Sequence, residues 1–331
     1  MSTTKKRVYV TRRIPEKGIQ LLREHVEVDL YEGELPPSKE VIIQHTRDKD
    51  GLLTLLTDMI DLEVMDSCPR LKVISNYAVG FDNIDVAAAT ERGIVVTNTP
   101  GVLTETVADF AWALLMACAR RIVEADRSTR LGEWKTWGPT LLLGVDIAGK
   151  TLGIVGAGRI GSSVAKRAAG FNMRVLYTDN DRKEDFEKQT GAKFVDLDTL
   201  LRESDFISLH VSLTEETKHL IAKSELGKMK PTAILINTSR GPVVDQEDLY
   251  DALVSGKILG AGLDVFVTEP IPASDPILKL KNVVITPHIA SASVETRDKM
   301  AEIAAQNLLD ALFGKTPRFT VNPEALSARR S

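Results

Sequence analysis

The chain has 331 residues, of which 43% are hydrophobic and 27% charged, a composition typical of globular proteins. Its 46 acidic and 42 basic side chains leave a formal net charge of -4, which argues against a nucleic-acid-binding protein. The apolar segment FAWALLMACA at 110–119 is too short to span a membrane, and the cysteines, Cys68 and Cys118, lie far apart. We therefore expect a cytoplasmic protein with no signal peptide, membrane partner or metal site, because His and Cys never recur at ligand spacing.

The chain up to about residue 100 predicts alternating strands and helices. Apolar runs at 7–11, 26–30, 51–56, 72–75 and 94–97 predict strands, and helical patterns lie between most of them. This alternation indicates βαβ units, and therefore a parallel sheet that is covered by helices on both faces. A break in composition near residue 100 leads into a long helical pattern, which we predict to run from Thr104 to Asp126.

The alternation starts again after a connector at 131–150 that contains Gly, Pro and Trp residues. Further strands are predicted at 151–156, 174–177, 206–209, 233–237, 260–264 and 283–285, and a terminal helix from Ser293 to Phe313. Because a chain of this length usually divides its core, we predict two α/β domains, each built on a doubly wound parallel sheet.

The segment GAGRIG at 156–161 follows an apolar strand and begins a helical pattern. Its glycines have the GxGxxG spacing: Gly156 permits a tight turn, Gly158 lets a pyrophosphate approach the backbone, and Gly161 allows close helix–strand packing. The N-terminus of the helix stabilises the phosphate charge. Strand, spacing and helix together predict a dinucleotide-binding Rossmann domain.

Asp179 lies at the end of the next predicted strand, 18 residues beyond Gly161. A carboxylate at this place accepts hydrogen bonds from both ribose hydroxyls and repels a 2'-phosphate, so NAD(H) is predicted to be preferred over NADP(H). A methyltransferase that binds S-adenosylmethionine also has a glycine-rich loop and a downstream acid. The glycine motif and Asp179 therefore leave both classes open.

Three ionisable residues follow later strands of the same half. Arg240 follows strand 233–237, Glu269 follows AGLDVF, and His288 follows VVITP. The carboxyl ends of parallel strands share one edge, where doubly wound sheets bind their ligands. Arginine binds a carboxylate bidentately, histidine exchanges a proton with a carbonyl or hydroxyl oxygen, and glutamate orients the imidazole. The set favours acid–base chemistry on a carboxylate-bearing substrate, and a methyltransferase would leave these residues without roles.

Six motifs occur in the order that a known family has them. They are NYAVGFDNID at 76–85, TNTPGVLTETVAD at 97–109, GIVGAGRIG at 153–161, LINTSRGPVVD at 235–245, AGLDVFVTEP at 261–270 and TPHIASAS at 286–293. Through them the sequence resembles the D-isomer-specific 2-hydroxyacid dehydrogenases, and within that family the glyoxylate/hydroxypyruvate reductases. The resemblance covers nearly the whole chain.

The resemblance implies roles in the reduction of a small 2-oxo acid to its 2-hydroxy acid, with glyoxylate as the first expected substrate and hydroxypyruvate as the second. It implies that Arg240 binds the substrate carboxylate, that His288 is the general acid/base, and that Glu269 is its carboxylate partner. It also implies that the backbone N–H groups of Val79 and Gly80 donate to the same carboxylate. Candidate walls of the substrate pocket are Leu55, Tyr77, Trp134 and Trp137.

For the cofactor, the resemblance implies that Asp264 lies near the nicotinamide carboxamide and that Asp179 is the NAD-selecting acid. Further cofactor contacts are implied for residues beside the glycine motif and at other strand ends, namely Thr106, Arg159, Ile160, His210 and Thr238. Ser212 departs from the family pattern, because relatives usually have proline at its position.

The resemblance also implies the domain organisation. A flavodoxin-like substrate domain would span 1–100 and be completed by 290–331, and an NAD-binding Rossmann domain would span 101–289. The reaction would take place in the cleft between them. Family members resemble two-fold dimers, so we expect a homodimer through the cofactor domain, formed by helix 104–126 and the connector with its tryptophans.

Other functions of related proteins stay open at this point. An NAD-responsive binding protein, like the transcriptional co-repressors that resemble this family, would keep every motif, although the sequence offers no added interaction tail. Phosphite dehydrogenases typically have lysine where Val79 stands, and formate dehydrogenases lack the glutamate matched by Glu269. Both differences favour a 2-hydroxyacid dehydrogenase.

Overall fold

The chain forms two compact units in a computed structural model, which describes residues 5–327. Unit 1 comprises the described residues up to Leu103 together with those from Ala292 onward, and unit 2 comprises Thr104–Ser291. Positions 1–4 and 328–331 of the predicted substrate domain lie outside the described residues.

Strands and helices are numbered in chain order. The strands are β1 Arg7–Val10, β2 Glu27–Leu30, β3 Gly51–Thr54, β4 Val73–Asn76, β5 Val95–Thr97, β6 Thr151–Val155, β7 Arg174–Thr178, β8 Lys193–Phe194, β9 Phe206–Leu209, β10 Ile234–Asn237, β11 Gly260–Leu263 and β12 Val283–Ile285. The helices are α1 Glu16–His25, α2 Lys39–Thr46, α3 Leu62–Ser67, α4 Val86–Glu91, α5 Thr104–Ala119, α6 Ile122–Arg130, α7 Arg159–Ala168, α8 Glu184–Thr190, α9 Leu197–Glu203, α10 Lys223–Lys228, α11 Gln246–Val254 and α12 Val294–Leu312.

Unit 1 contains a parallel sheet in the order β2-β1-β3-β4-β5, which is the flavodoxin-like order. Buried apolar side chains of its strands, such as Tyr9, Leu52 and Ile74, belong to one core cluster with residues of α2, α3 and α4. The C-terminal helix α12 packs against the same sheet, where Ser75 Oγ donates a hydrogen bond of 2.8 Å to Ala304 O. The late segment of the chain thus completes the unit that the first strands begin.

Unit 2 contains a parallel sheet in the order β12-β11-β10-β9-β6-β7-β8. The connections run outward in both directions from the pair β6 and β9. Such a topological switch point opens a crevice outside the carboxyl ends of the strands, where doubly wound sheets bind ligands. Two buried apolar clusters line the two faces of this sheet. The predicted fold class, two doubly wound parallel-sheet α/β domains, is confirmed.

The prediction of one long helix from Thr104 to Asp126 is wrong, because the structure has two helices, α5 and α6, in this region. Arg121 adopts φ 52° between them, in the left-handed region. Ala119 O accepts a hydrogen bond of 2.8 Å from Val145 N, so the connector meets the end of α5. This long-range contact ends the helix at a place where the sequence pattern continues.

The strand β8 was not predicted from the sequence. Its two residues are too few to show any periodicity, and only pairing with β7 makes them a strand. Within residues 5–327, no helix combines the length and the apolar character that a membrane crossing requires.

Candidate active site

The glycine loop connects β6 to α7 at the switch point of the unit 2 sheet. Gly156 has φ +93°, and a Cβ on it would lie 2.8 Å from the backbone carbonyl of His210, which follows β9. A Cβ on Gly161 would lie 2.1 Å from Gly156 O, so α7 begins in close contact with the strand end. A Cβ on Gly158, by contrast, would meet no described atom within 4 Å. The loop is therefore tight on its protein side and open at Gly158.

Asp179 lies directly after β7 and contacts this loop. Its Oδ2 accepts a hydrogen bond of 2.9 Å from Ala157 N, and its Oδ1 accepts one of 2.7 Å from Asn180 N. Lys183 Nζ lies 3.8 Å from Oδ1. The structure thus brings the acid that the sequence singled out to the glycine loop, although the two are far apart in the chain.

The other predicted cofactor residues lie on separate elements of unit 2. Exposed Arg159 and half-buried Ile160 are the first residues of α7, and Thr106 is in the first turn of α5. Thr238 follows β10, and its buried Oγ1 has no hydrogen-bond partner among the described residues. Burial lowers the pKa of His210 to about 3, and Ser208 Oγ lies 2.8 Å from its Nε2, so the ring is neutral.

These features fit a bound dinucleotide. The open position at Gly158 leaves room for a pyrophosphate beside the N-terminus of α7, whose first N–H groups lack intrahelical partners. Asp179 could accept the ribose hydroxyls, and the unpartnered hydroxyl of Thr238 could bind a polar group of the ligand. No group of three or more His, Cys, Asp or Glu that could bind a metal ion occurs in residues 5–327.

Arg240 follows β10 in a turn that Asn237 organises. Asn237 is 1% exposed; its Oδ1 accepts hydrogen bonds from the N and Oγ of Ser239, and its Nδ2 donates one of 2.9 Å to Arg240 O. A Cβ on Gly241 would lie 1.9 Å from the carbonyl carbon of Phe266. The loop that bears Arg240 is therefore in direct backbone contact with the loop that follows β11.

Glu269 and His288 form a hydrogen-bonded pair on the loops after β11 and β12. Glu269 Oε2 lies 2.7 Å from His288 Nδ1, and Glu269 Oε1 accepts a hydrogen bond of 3.0 Å from Phe266 N. With Nδ1 donating to the carboxylate, Nε2 is the ring nitrogen left for proton exchange. His288 itself has φ 55°, which is uncommon for a residue with a side chain and marks a constrained turn.

Electrostatics keep Glu269 ionised at neutral pH. Burial acts to raise its pKa, but the hydrogen bond and the charge of His288 act in the opposite direction and prevail. The hydrogen bond from Phe266 N and the charge of Arg240 add to the same effect, so the pKa of Glu269 lies below its usual value. A carboxylate in this state stabilises the protonated form of the imidazole beside it.

Asp264 is fully buried at the end of β11, and its carboxylate binds the loop that bears His288. Its Oδ1 accepts hydrogen bonds from Thr286 Oγ1 at 2.6 Å and Ile289 N at 2.8 Å, and its Oδ2 accepts one from Ala290 N at 2.7 Å. Burial outweighs these bonds and raises the pKa of Asp264. Both carboxylate oxygens therefore accept hydrogen bonds from the loop after β12, a role that was not predicted from the sequence.

Four further predicted substrate residues, Leu55, Tyr77, Val79 and Gly80, lie after the carboxyl ends of strands in unit 1. The other two, Trp134 and Trp137, are exposed on the connector of unit 2. Leu55 directly follows β3, and Val79 and Gly80 follow β4. Val79 O accepts a hydrogen bond of 2.7 Å from Asn98 Nδ2, and Gly80 O accepts one of 2.9 Å from Asn76 Nδ2. No described residue accepts a hydrogen bond from the N–H of Val79 or of Gly80. These two donors are the kind of group that binds a carboxylate.

The residues that orient these loops were not predicted from the sequence. Asn237, Asn76 and Asn98 each stand at or beside a strand end, and each binds a loop carbonyl through its side-chain amide. Their position at the ends of apolar runs was a usable signal. The partners of these asparagines could not be predicted, since every residue type has a backbone carbonyl that can accept such a hydrogen bond.

The sequence is similar to proteins of one known family over most of its length. Residues 112–290 match the family model of the D-isomer specific 2-hydroxyacid dehydrogenase, NAD binding domain. A glyoxylate reductase of Korarchaeum cryptofilum is 60% identical over 326 residues, which cover 98% of each chain.

Solved structures agree with that match. A protein of Thermus thermophilus is similar with a TM-score of 0.90 and 49% identity, over 95% of this chain and 99% of that one. An NADPH-dependent glyoxylate/hydroxypyruvate reductase of Sinorhizobium meliloti, in complex with NADP and malonate, has a TM-score of 0.86 and 32% identity, with 99% of each chain covered. The family resemblance drawn from the six motifs is confirmed.

Proposed function

Because the chain belongs to the D-isomer-specific 2-hydroxyacid dehydrogenase family, we propose that it reduces glyoxylate or hydroxypyruvate to the corresponding 2-hydroxy acid. The observation that carries this proposal is the Glu269–His288 pair, with 2.7 Å between Oε2 and Nδ1, at the same sheet edge as the glycine loop. Relatives named glyoxylate reductase at 60% and 54% identity support the choice of substrate.

In the proposed reaction, the guanidinium of Arg240 binds the substrate carboxylate and orients the 2-oxo group. The reduced nicotinamide, when bound, supplies the hydride that the carbonyl carbon accepts. His288 in its protonated form gives the proton on Nε2 to the carbonyl oxygen, and Glu269 holds the ring through Nδ1. Oxidation of the 2-hydroxy acid uses the same groups in reverse, with neutral His288 accepting the hydroxyl proton.

Unit 1 contributes binding groups in this proposal. The N–H groups of Val79 and Gly80 donate to the substrate carboxylate, and Leu55 forms an apolar wall. Supporting this role, both N–H groups lack an acceptor among the described residues, while the carbonyls of the same residues are held by asparagines. Apolar contact separates glyoxylate from hydroxypyruvate only weakly, by roughly 1 to 3 kcal/mol per methylene.

The proposed cofactor is NAD(H) in preference to NADP(H). Asp179 supports it, because its carboxylate lies at the glycine loop, where it would repel a 2'-phosphate. Asp264 and His210 complete the cofactor edge: buried Asp264 shapes the loop after β12, and neutral His210 adds no charge. The Sinorhizobium relative is NADPH-dependent, and a comparison of kcat/KM for NADH and NADPH tests the preference proposed for this chain.

The proposed assembly is a homodimer through unit 2. Exposed apolar side chains are concentrated on α6 and on the connector that follows it in the chain. Exposure of this apolar surface to water would cost free energy in a monomer. These side chains are Ile122, Val123, Leu131, Trp134, Trp137, Leu141 and Leu143. Free thiols at Cys68 and Cys118 support a cytoplasmic location for the assembly. Light scattering at micromolar concentration should give twice the mass of the chain, and a monomer would reject the dimer.

A steady-state screen tests the proposed function. NADH and NADPH are each combined with glyoxylate, hydroxypyruvate, pyruvate and phenylpyruvate, and kcat/KM is compared. We expect the highest values for NADH with glyoxylate or hydroxypyruvate. A protein that binds NADH but turns over none of these acids would instead act as an NAD-responsive binding protein.

A further inference from the structure

A buried polar network lies behind the loops of unit 1 that bear Leu55 and Gly80. Its members are Asp58, Asn83 and Asn76, which are 2%, 6% and 0% exposed. Two of them stand on loops after β3 and β4, and Asn76 is the last residue of β4. Buried polar side chains cost free energy unless they are hydrogen-bonded, so the stability of these loops depends on the partners of all three residues.

Asp58 organises the loop after β3. Its Oδ2 accepts hydrogen bonds from Thr11 Oγ1 at 2.5 Å, from Thr54 Oγ1 at 2.9 Å and from Leu55 N at 2.8 Å. The carboxylate thus connects the ends of β1 and β3 to the first residue of the loop. It fixes the backbone of Leu55 from its N–H side.

Asn83 connects this loop to the next. Its Nδ2 donates hydrogen bonds to Leu55 O at 3.0 Å and to Asp58 O at 2.9 Å, and its Oδ1 accepts one of 3.0 Å from Asn76 Nδ2. Asn76 Nδ2 in turn donates to Gly80 O. Both N–H bonds and the oxygen of the Asn83 amide are therefore used, and only an amide of this length offers that combination.

The orientation of Gly80 depends on the same network. A glycine has wide conformational freedom, but a planar trans peptide turns its N–H away from the C=O of the preceding residue. Asn98 holds Val79 O and so fixes the peptide that contains the Gly80 N–H. Asn76 holds Gly80 O and fixes the following peptide. Loss of Asn83 would free Asn76, and with it one side of Gly80.

We propose that Asn83 is a positioning residue for the 2-oxo acid substrate, because its amide joins the loop of Leu55 to the loop of Gly80. The inference rests on the proposed function, in which both loops bind the substrate. The carboxylate of the substrate is present in the ground state and in the transition state alike. A looser pair of loops therefore raises KM and changes kcat little.

Asn322 offers a matched control within unit 1. It is 2% exposed, its Nδ2 donates to Thr90 Oγ1 and Ile94 O at 2.9 Å each, and its Oδ1 accepts from Val96 N at 2.7 Å. The two asparagines are both buried and make the same number of hydrogen bonds. Asn322, however, makes none of them with the loops of Leu55 and Gly80, so its loss should destabilise the fold without affecting KM.

The experiment compares Asn83→Ala with Asn322→Ala in the full-length enzyme. We measure KM and kcat for the preferred 2-oxo acid, the Kd of NADH, and urea unfolding. For Asn83→Ala we expect KM to rise by about 10-fold or more, with kcat within about threefold of wild type. The Kd of NADH should stay unchanged. Asn322→Ala should lose comparable stability and keep the wild-type KM. An unchanged KM in Asn83→Ala, or an equal rise in both variants, would overturn the proposal.

Two further measurements keep the test independent of folding and of substrate. Asn83→Asp keeps the size and the acceptor but replaces the donor, and it should reproduce the KM effect if Asn83→Ala does not fold. In the wild-type protein, amide hydrogen exchange at Leu55, Ile60 and Tyr77 should show one common opening free energy, as expected for joined loops. Independent opening would overturn the proposal. A wild-type enzyme without 2-oxo acid turnover would reject the proposed function and leave this exchange test standing.

Discussion

The two sheets place their proposed ligand-binding groups at the same end of the strands but use different chemistry. In unit 2 the groups are ionisable side chains, Arg240, Glu269 and His288, and each stands within hydrogen-bond or charge contact of another residue of the edge. In unit 1 they are the backbone N–H groups of Val79 and Gly80, oriented by buried asparagines. Reaction chemistry needs particular residue types, whereas binding a carboxylate needs only donors in the right place.

This difference explains what can be seen in a sequence. An arginine or a histidine after an apolar strand is conspicuous, because a charge that is buried there without a partner would be costly. A backbone N–H belongs to every residue except proline, so its role depends on the orientation of its peptide. Mutation of His288 or Glu269 in unit 2 should therefore change kcat and the pH profile, whereas mutation of the loops of unit 1 should change KM.

The largest effect on kcat is expected for His288→Ala, which removes the proposed proton donor. We expect kcat to fall by roughly 100-fold or more, and the histidine limb of the pH profile to disappear. His219→Ala is the matched control, since His219 also pairs with a carboxylate, with Nδ1 3.3 Å from Asp245 Oδ2. Near-normal kcat in His288→Ala would contradict the assignment of the reaction to unit 2.

Arg240→Ala tests the proposed binding of the substrate carboxylate by the guanidinium of Arg240. Loss of one partner of a desolvated charge pair should lower kcat/KM for the 2-oxo acid. The expected loss of transition-state stabilisation is about 2 to 5 kcal/mol. The Kd of NADH should change little, as the arginine faces the substrate in the proposed reaction. Arg240→Lys should recover part of the loss, because lysine keeps the charge without the bidentate geometry. An equal loss of NADH affinity would place the arginine at the cofactor instead.

Glu269→Gln separates the orientation of His288 from its charge. The lowered pKa of Glu269 means that the carboxylate is anionic at neutral pH and favours the imidazolium. Glutamine removes that charge, so the limb for 2-oxo acid reduction should move to lower pH, with rate lost at neutral pH and partly regained on acidification. A pH profile identical to wild type would show that the pair is structural only.

The same variant has a consequence for stability. A carboxyl group with a lowered pKa in the folded state contributes stability above its ordinary pKa and loses that contribution as the pH falls through the folded value. The difference in unfolding free energy between wild type and Glu269→Gln should therefore be full at neutral pH and shrink in acid. Urea unfolding of both proteins at neutral and at acidic pH measures this difference.

The smallest effect concerns the choice of cofactor. Asp179→Ser combined with Asn180→Arg should shift the ratio of kcat/KM toward NADPH by about 10-fold or more, because a repulsive charge is exchanged for an attractive one. Asp181→Ser is the control, an exposed acid close by in the sequence. A wild-type enzyme that already prefers NADPH would reject the role given to Asp179.

The sequence predicted more of the fold than of the contacts that hold the site. Apolar runs placed the longer strands within a few residues, since strands buried on both faces consist mainly of apolar residues. The break between α5 and α6 was missed, because it comes from the contact of Val145 with Ala119, distant in the chain. The network of Asn83 was also missed, because its acceptors are backbone carbonyls, which every residue type has.

The sequence by itself determined the fold class, the family and the set of ionisable residues, because periodicity, glycine spacing and residue type are local properties. Only the tertiary structure decided how these residues are held. It joined Glu269 to His288, brought Asp179 to the glycine loop, and committed both oxygens of Asp264 to the loop after β12. Such contacts depend on where parallel strands end relative to one another, and that geometry exists only once the sheet has formed.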